Sequence, residues 1–181
     1  MGGLSGSALA AGGSGSGGYT QSSLVSDETG VAPYGDASLV NPWGILTGPQ
    51  GHLIVADNHA GVATFYHPSG HPVPLQVVIP NPAGGMGAPT DLGLNGSERD
   101  FLIAKGKRHD ESILLFATED GTIAGWNPEV DASHAVIAVD NSAAGAIYKS
   151  MALGPPNTAP NSTRPISARG SWRCMTAGLI W

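Results

Sequence analysis

Three acidic turns carry the residues best suited to chemistry. Asp57-Asn58-His59, Glu119-Asp120 and Asp140-Asn141 each follow a short apolar run and end it in carboxylate or amide groups. Gathered on one rim with the loop from Asn81 to Gly87, their oxygens would suit Ca²⁺, which takes roughly six to eight oxygen ligands. A cation held there polarises a carbonyl and activates water, the chemistry of a metal-assisted hydrolase or lactonase. The same residue types also cap tight turns through their own backbone. Turn chemistry alone accounts for Asp57, Asp120 and Asp140.

The remaining reactive side chains form no catalytic constellation. His67 and His71 flank a Pro-Ser-Gly turn and can approach one another, but the sequence shows no further ligand to complete a metal site. His52, His59, His109 and His134 fall in or beside turns. No G-x-S-x-G turn offers a nucleophile. Gly84-Gly85-Met86-Gly87 opens no helix, so it is not a phosphate cradle. Binding of a small ligand or a protein is therefore the leading expectation, with Asp57, Asn58, His59, Glu119, Asp120, Asp140 and Asn141 as rim residues.

The elements that would position this rim are short strands. Trp43 to Thr47, His52 to Asp57, Val62 to Tyr66 and Leu75 to Ile79 are branched or apolar runs, each closed by Gly, Pro or Asn turns. The rhythm repeats: Pro89 to Leu94, Ile113 to Glu119, Thr122 to Trp126 and Ala135 to Val139 match those runs in order and character. The extra length between Ser97 and Glu111 holds a run from Phe101 to Ala104, which begins the second strand or forms an added one, and an exposed loop from Lys105 to Asp110. Ile147 to Leu153 opens a third unit. Four antiparallel strands in about 40 residues make one propeller blade. The expectation is an all-β, incomplete β-propeller with two blades and the start of a third, with Val55 superposing on Ala117, Phe65 on Trp126, and both tryptophans Trp43 and Trp126 between blades. Ile54, Phe65, Ile113 and Phe116 are interior positions that an open arc leaves partly bare, which predicts self-association through exposed blade faces.

Composition agrees with this and excludes other classes. The 181 residues include 27 Gly and 14 Pro, a density of breakers that long helices do not survive. The net charge of −6 excludes the basic stripe that a nucleic-acid partner needs. No apolar run approaches the roughly 18 residues of a membrane span. The single cysteine, Cys174, precludes an internal disulfide. Ala8-Leu9-Ala10 has the small-x-small form of a signal-peptidase site and precedes a Gly/Ser stretch, so residues 1–18 read as an export-signal remnant or flexible tail and the protein as extracytoplasmic.

Residues 19–153 form the repeat domain; 154–181 differ in kind. That stretch holds Arg164, Arg169 and Arg173, no carboxylate and no alternation. Shifting the reading of its codons by one frame permits a strand–turn–strand pattern like residues 52–66, and the single codons of Trp172 and Met175 are compatible with it. The segment reads as out of frame and disordered, which makes a non-functional truncated product an alternative reading of the chain.

Asn41-Pro42-Trp43-Gly44-Ile45, Leu53 to Asn58, Phe116 to Trp126 and Val136 to Ser142 together resemble an uncharacterised family of exported bacterial proteins. The first repeat is also similar to NHL repeats. The resemblance implies a single β-propeller and brings no catalytic residues or cofactor with it.

Overall fold

The computed structural model describes residues 18–97 and 100–153. The pattern read as an export signal at Ala8-Leu9-Ala10 and the stretch read as out of frame, with Ile166, Trp172 and Ile180, lie outside the described residues.

Among the described residues there are twelve strands. In chain order they are β1 (Val25–Ser26), β2 (Tyr34–Gly35), β3 (Pro42–Thr47), β4 (Leu53–Asp57), β5 (Val62–Tyr66), β6 (Pro72–Val78), β7 (Pro89–Leu94), β8 (Leu102–Lys105), β9 (Arg108–Glu111), β10 (Leu114–Thr118), β11 (Thr122–Trp126) and β12 (Val136–Asp140). They form two four-stranded antiparallel sheets, ordered β3-β4-β5-β6 and β7-β10-β11-β12, plus a parallel pair β1-β2 and a hairpin β8-β9. The two expected sheets are thus both present. Among the described residues the helical turns are two short 3₁₀ segments, Pro49–Gly51 and Ser142–Ala144.

The first three strands of the two sheets repeat one another, including one irregularity. In the first, Pro42 pairs with Asp57 and Gly44 with Ala56, a bulge at the start of the inner strand. In the second, Pro89 pairs with Thr118 and Asp91 with Ala117, the same bulge at the same place. Leu53 opposes Tyr66 as Leu114 opposes Trp126. This register equates Val55 with Phe116 and Tyr66 with Trp126. The expected superpositions of Val55 on Ala117 and Phe65 on Trp126 are therefore one residue out, because β10 begins at Leu114 and Ile113 stays in the preceding connection. In a strand one residue is the whole difference between two faces.

One core joins the sheets. Ile54, Ala56, Ala63 and Val77 from the first pack on Leu92, Leu114, Phe116, Ala124 and Trp126 from the second. Phe65 and Trp126 meet with ring centres 5.9 Å apart. Val78 also accepts from Ala135 N at 2.9 Å and donates to Ser133 O at 2.8 Å, stitching the outer edges together. Of the expected interior residues, Ile54 and Phe116 are buried, Phe65 is half-buried and Ile113 is 42% exposed.

Both outward faces are partly covered by the chain itself. On the first sheet the segment from Leu24 to Ser38 lies over Tyr66, Gln76 and Gly70: Tyr66 Oη donates to Asp36 at 2.9 Å, Gln76 Nε2 to Ser38 Oγ at 2.8 Å, and the site of a Cβ on Gly70 lies 2.6 Å from Leu24 Cβ. On the second, Ala146, Tyr148 and Met151 cover Ala117 and Ile123. The expected third-unit strand from Ile147 to Leu153 does not pair as a strand; it runs alongside β7, with Leu153 over Gly93. The presumed loop from Lys105 to Asp110 is instead the turn of hairpin β8-β9. Gly106, at φ 64°, allows a two-residue reversal between Lys105 and Arg108. Strand β6 starts earlier than its apolar run, at Pro72, because an edge strand tolerates residues that cannot donate.

Phe116, fully buried between the sheets, is the centre of that core. Phe116→Ala is expected to cost about 3–5 kcal/mol in urea-melting experiments. Trp43 and Ile45 on the inner strand remain 46% and 67% exposed. At micromolar concentration the chain is expected to self-associate, and Ile45→Gln to shift sedimentation toward monomer.

Candidate functional site

Polar side chains converge where the inner strands β3 and β7 begin. Asn58, buried in the turn after β4, accepts from Asn41 Nδ2 at 3.2 Å. Its own Nδ2 donates to Pro89 O and to Glu119 Oε2, each at 3.2 Å. Glu119 is ion-paired through Oε1 with Lys149. The Lys149 ammonium also lies 4.8 Å over the Trp43 ring centre. The hydrogen bond from Lys149, assisted by that from Asn58, holds the Glu119 carboxyl below the usual range. Beside this group Asp91 Oδ2 accepts from Ser150 Oγ and Met151 N, both at 2.8 Å. An exposed aromatic ring, two amides, two carboxylates and an ammonium thus share one rim.

Asn58 and Glu119 are the expected rim residues that the fold brings into contact. Asp120 does turn work next door: its Oδ2 accepts from Ala88 N at 2.7 Å, closing the loop in which Asn81 binds Ala83 N, Gly85 N and Met86 O. Asp140 caps Ser142 through its backbone N and hydroxyl, and that hydroxyl holds its carboxyl below the usual range. Asn141 donates to Tyr148 Oη at 2.6 Å. His59 is exposed, and its backbone N bonds Val40 O. Asp57 belongs to another network. It lies on the first sheet, fully buried, with Oδ2 accepting from Thr64 Oγ1 at 2.7 Å and Oδ1 without a partner. The carboxylates imagined as one Ca²⁺ ring are therefore spread over separate networks. Among the described residues no group of three or more His, Cys, Asp or Glu is arranged to hold a metal.

Sequence reasoning missed Trp43, Lys149, Asn41, Asp91 and Ser150. Trp43 was expected between the sheets; the bulge at Pro42 turns it out to the rim, while Trp126 does pack in the interface. The available signal was positional. Trp43 and Thr90 each follow the proline that opens an inner strand, so whatever stands there borders the rim. A second concavity, about 330 Å³, opens between the sheets at the far end, lined by Ile54, Phe65, Leu94, Leu114 and Trp126 with His52 at its edge. It gathers no comparable set of polar groups.

No protein-family model matches the chain, and no solved structure matches it. The chain is similar to uncharacterised proteins of Acanthamoeba polyphaga mimivirus. One is 29% identical over 126 residues, covering 69% of this chain and 31% of the relative. Another is 27% identical over 132 residues, covering 72% and 35%. A third is 28% identical over 112 residues, covering 60% and 21%. The chain thus spans about a third or less of the length of the relatives it matches. These findings correct the likeness to exported bacterial proteins with NHL-like repeats: the relatives are viral, and nothing points to that bacterial family. The motifs behind the likeness are strand–turn–strand residues. Short strands joined by tight turns favour such residue types, whatever their ancestry. Nor is any helix among the described residues long and apolar enough to cross a membrane.

The buried Asp57 has a measurable consequence. Burial pushes its carboxyl up from 3.8 to about 7; the Thr64 hydrogen bond opposes this and the nearby Asp36 charge adds to it. Between those values the folded chain keeps a proton that the unfolded chain has lost. The contribution of Asp57 to stability is then greatest below about pH 4, falls as pH rises, and levels off above about pH 7, by on the order of 4 kcal/mol in full. Urea melts of wild type and Asp57→Asn from pH 4 to pH 8 should diverge, with the variant gaining relative stability as pH rises.

Proposed function

We propose that the two sheets are neighbouring blades of a β-propeller, and that the rim at Trp43, Asn58, Glu119 and Lys149 binds a polar ligand or a partner protein. The observation that carries the blade reading is the repeated bulge and register, which make residues at equal positions of the two sheets face the same way. Rotation of one blade onto the next about the inner strands produces that relation. The mimivirus relatives, of which the chain covers about a third, are long enough to hold further blades.

The binding reading follows from the composition of the rim. Trp43 offers a half-exposed flat face, Asn41 and Asn58 offer amides, and Glu119 and Lys149 offer both signs of charge. A convergent set of this kind orients a ligand by hydrogen bonds while the ring supplies contact area. Glu119 is taken up by Lys149 and Asn58, and Asp91 by Ser150 and Met151, so binding is favoured over the metal-assisted hydrolase suggested by the carboxylate turns.

The test is a panel of immobilised glycans and peptides probed with the wild-type chain. Hits that bind at the rim should be lost by Trp43→Ala and weakened by Glu119→Gln, while His109→Ala leaves them intact. Hits indifferent to Trp43 and Glu119 would place binding elsewhere and overturn the assignment of the rim.

A further inference from the structure

At the opposite end of the first sheet, three histidines meet at one corner. His52 ends the turn between β3 and β4; His67 and His71 bracket the turn between β5 and β6. His52 Nε2 and His67 Nδ1 are 3.1 Å apart. The ring centres of His52 and His67 are 4.9 Å apart, and those of His67 and His71 are 5.9 Å apart. The corner is open to solvent.

Backbone carbonyls decide which nitrogens carry lone pairs. Pro49 O lies 3.0 Å from His52 Nδ1, and Pro72 O lies 3.0 Å from His71 Nδ1. A carbonyl only accepts, so in each neutral ring Nδ1 carries the proton and Nε2 is left basic. An imidazole whose other N–H is held by a backbone carbonyl is the arrangement that orients metal-ligating histidines. His67, on the exposed turn, is free to place its proton on Nε2 and to turn the Nδ1 lone pair inward.

The geometry points to a divalent transition-metal site at this corner, with His52 Nε2 and His67 Nδ1 as the two protein ligands and water in the remaining positions. Two metal–nitrogen bonds of about 2.05 Å spanning 3.1 Å subtend roughly 98°, between the octahedral and tetrahedral angles. Imidazole suits Zn²⁺, Ni²⁺ and Cu²⁺ over Ca²⁺ or Mg²⁺, which prefer oxygen. As the ion enters between the two nitrogens, the His67 proton moves from Nδ1 to Nε2. With two ligands the site is open, and it lies at the end of the strands remote from the polar rim. The two sites are separable by experiment.

Titration of the tag-free chain with Zn²⁺ and with Ni²⁺, followed by calorimetry and by imidazole NMR signals, tests this. One equivalent should bind, perturbing His52 and His67. His67→Ala and His52→Ala should each weaken binding at least about tenfold, no less than the loss of an outer-shell partner costs. His109→Ala and His134→Ala should leave it unchanged. Unaltered melting curves for His67→Ala, a turn-tip change, show that the fold is intact. Failure to bind either ion at millimolar concentration, or binding indifferent to His52 and His67, would show an imidazole–imidazole hydrogen bond and nothing more.

Discussion

Everything in this protein hangs on the register of its antiparallel ladders. A strand presents alternate residues to opposite faces, so the bulge at Pro42 and its twin at Pro89 determine which side chains enter the core. With the bulges in place, Ile54 and Ala56 face the second sheet while Leu114 and Phe116 face the first. Moving either by one residue would bring Val55 or Leu115 into the contact and carry the existing core to the outside.

The same constraint explains the connections. Gly61 and Gly121 occupy the same turn in the two sheets, at φ 67° and 77°. Each turn is crossed by the chain that follows the last strand of its sheet. A Cβ on Gly61 would lie 2.7 Å from Met86 Cβ, and one on Gly121 would run into Ala146 O. Positive φ and close approach both require glycine there. Because the chain returns at this place each time, the starts of the inner strands are brought together. The rim is a product of the repeat before it is a product of any particular side chain.

That separation decides what could be read from sequence. Strand identity was legible, since branched runs bounded by Gly and Pro have few other solutions, and β4, β5, β10 and β11 stand close to where those runs place them. Of hairpin β8-β9 the first strand was legible in the run from Phe101 to Ala104, but the second was not, because Arg108 to Glu111 is charged and its pairing depends on the reversal at Gly106. Of the rim, Asn58 and Glu119 were legible as turn residues, but their contact spans 61 positions and follows from sheet packing. Lys149 could not be anticipated at all. It reaches Glu119 and Trp43 because the chain after β12 runs along β7, although no strand pairing marks that path.

The equivalent positions Asp57 and Thr118 show how far the repeat tolerates individual chemistry. Both are fully buried, and both bond a hydroxyl across the hairpin: Asp57 with Thr64, Thr118 with Thr122. Thr118 satisfies its position with a neutral group on the face it shares with Leu114 and Phe116, toward the first sheet. Asp57 places an ionisable one beneath the covering segment that carries Asp36, and Tyr66 reaches from the same face to bind Asp36. Burial raises the tyrosine hydroxyl as it raises the Asp57 carboxyl, so both hold their protons more tightly than in water. A protonated Asp57 leaves Asp36 as the charged partner of the Tyr66 hydroxyl, and the like-charge conflict is removed. The outward face of the first sheet is therefore best satisfied with one proton fewer to lose than its residue types suggest. The backbone repeat sets where that proton sits; the side chains alone set whether it is needed.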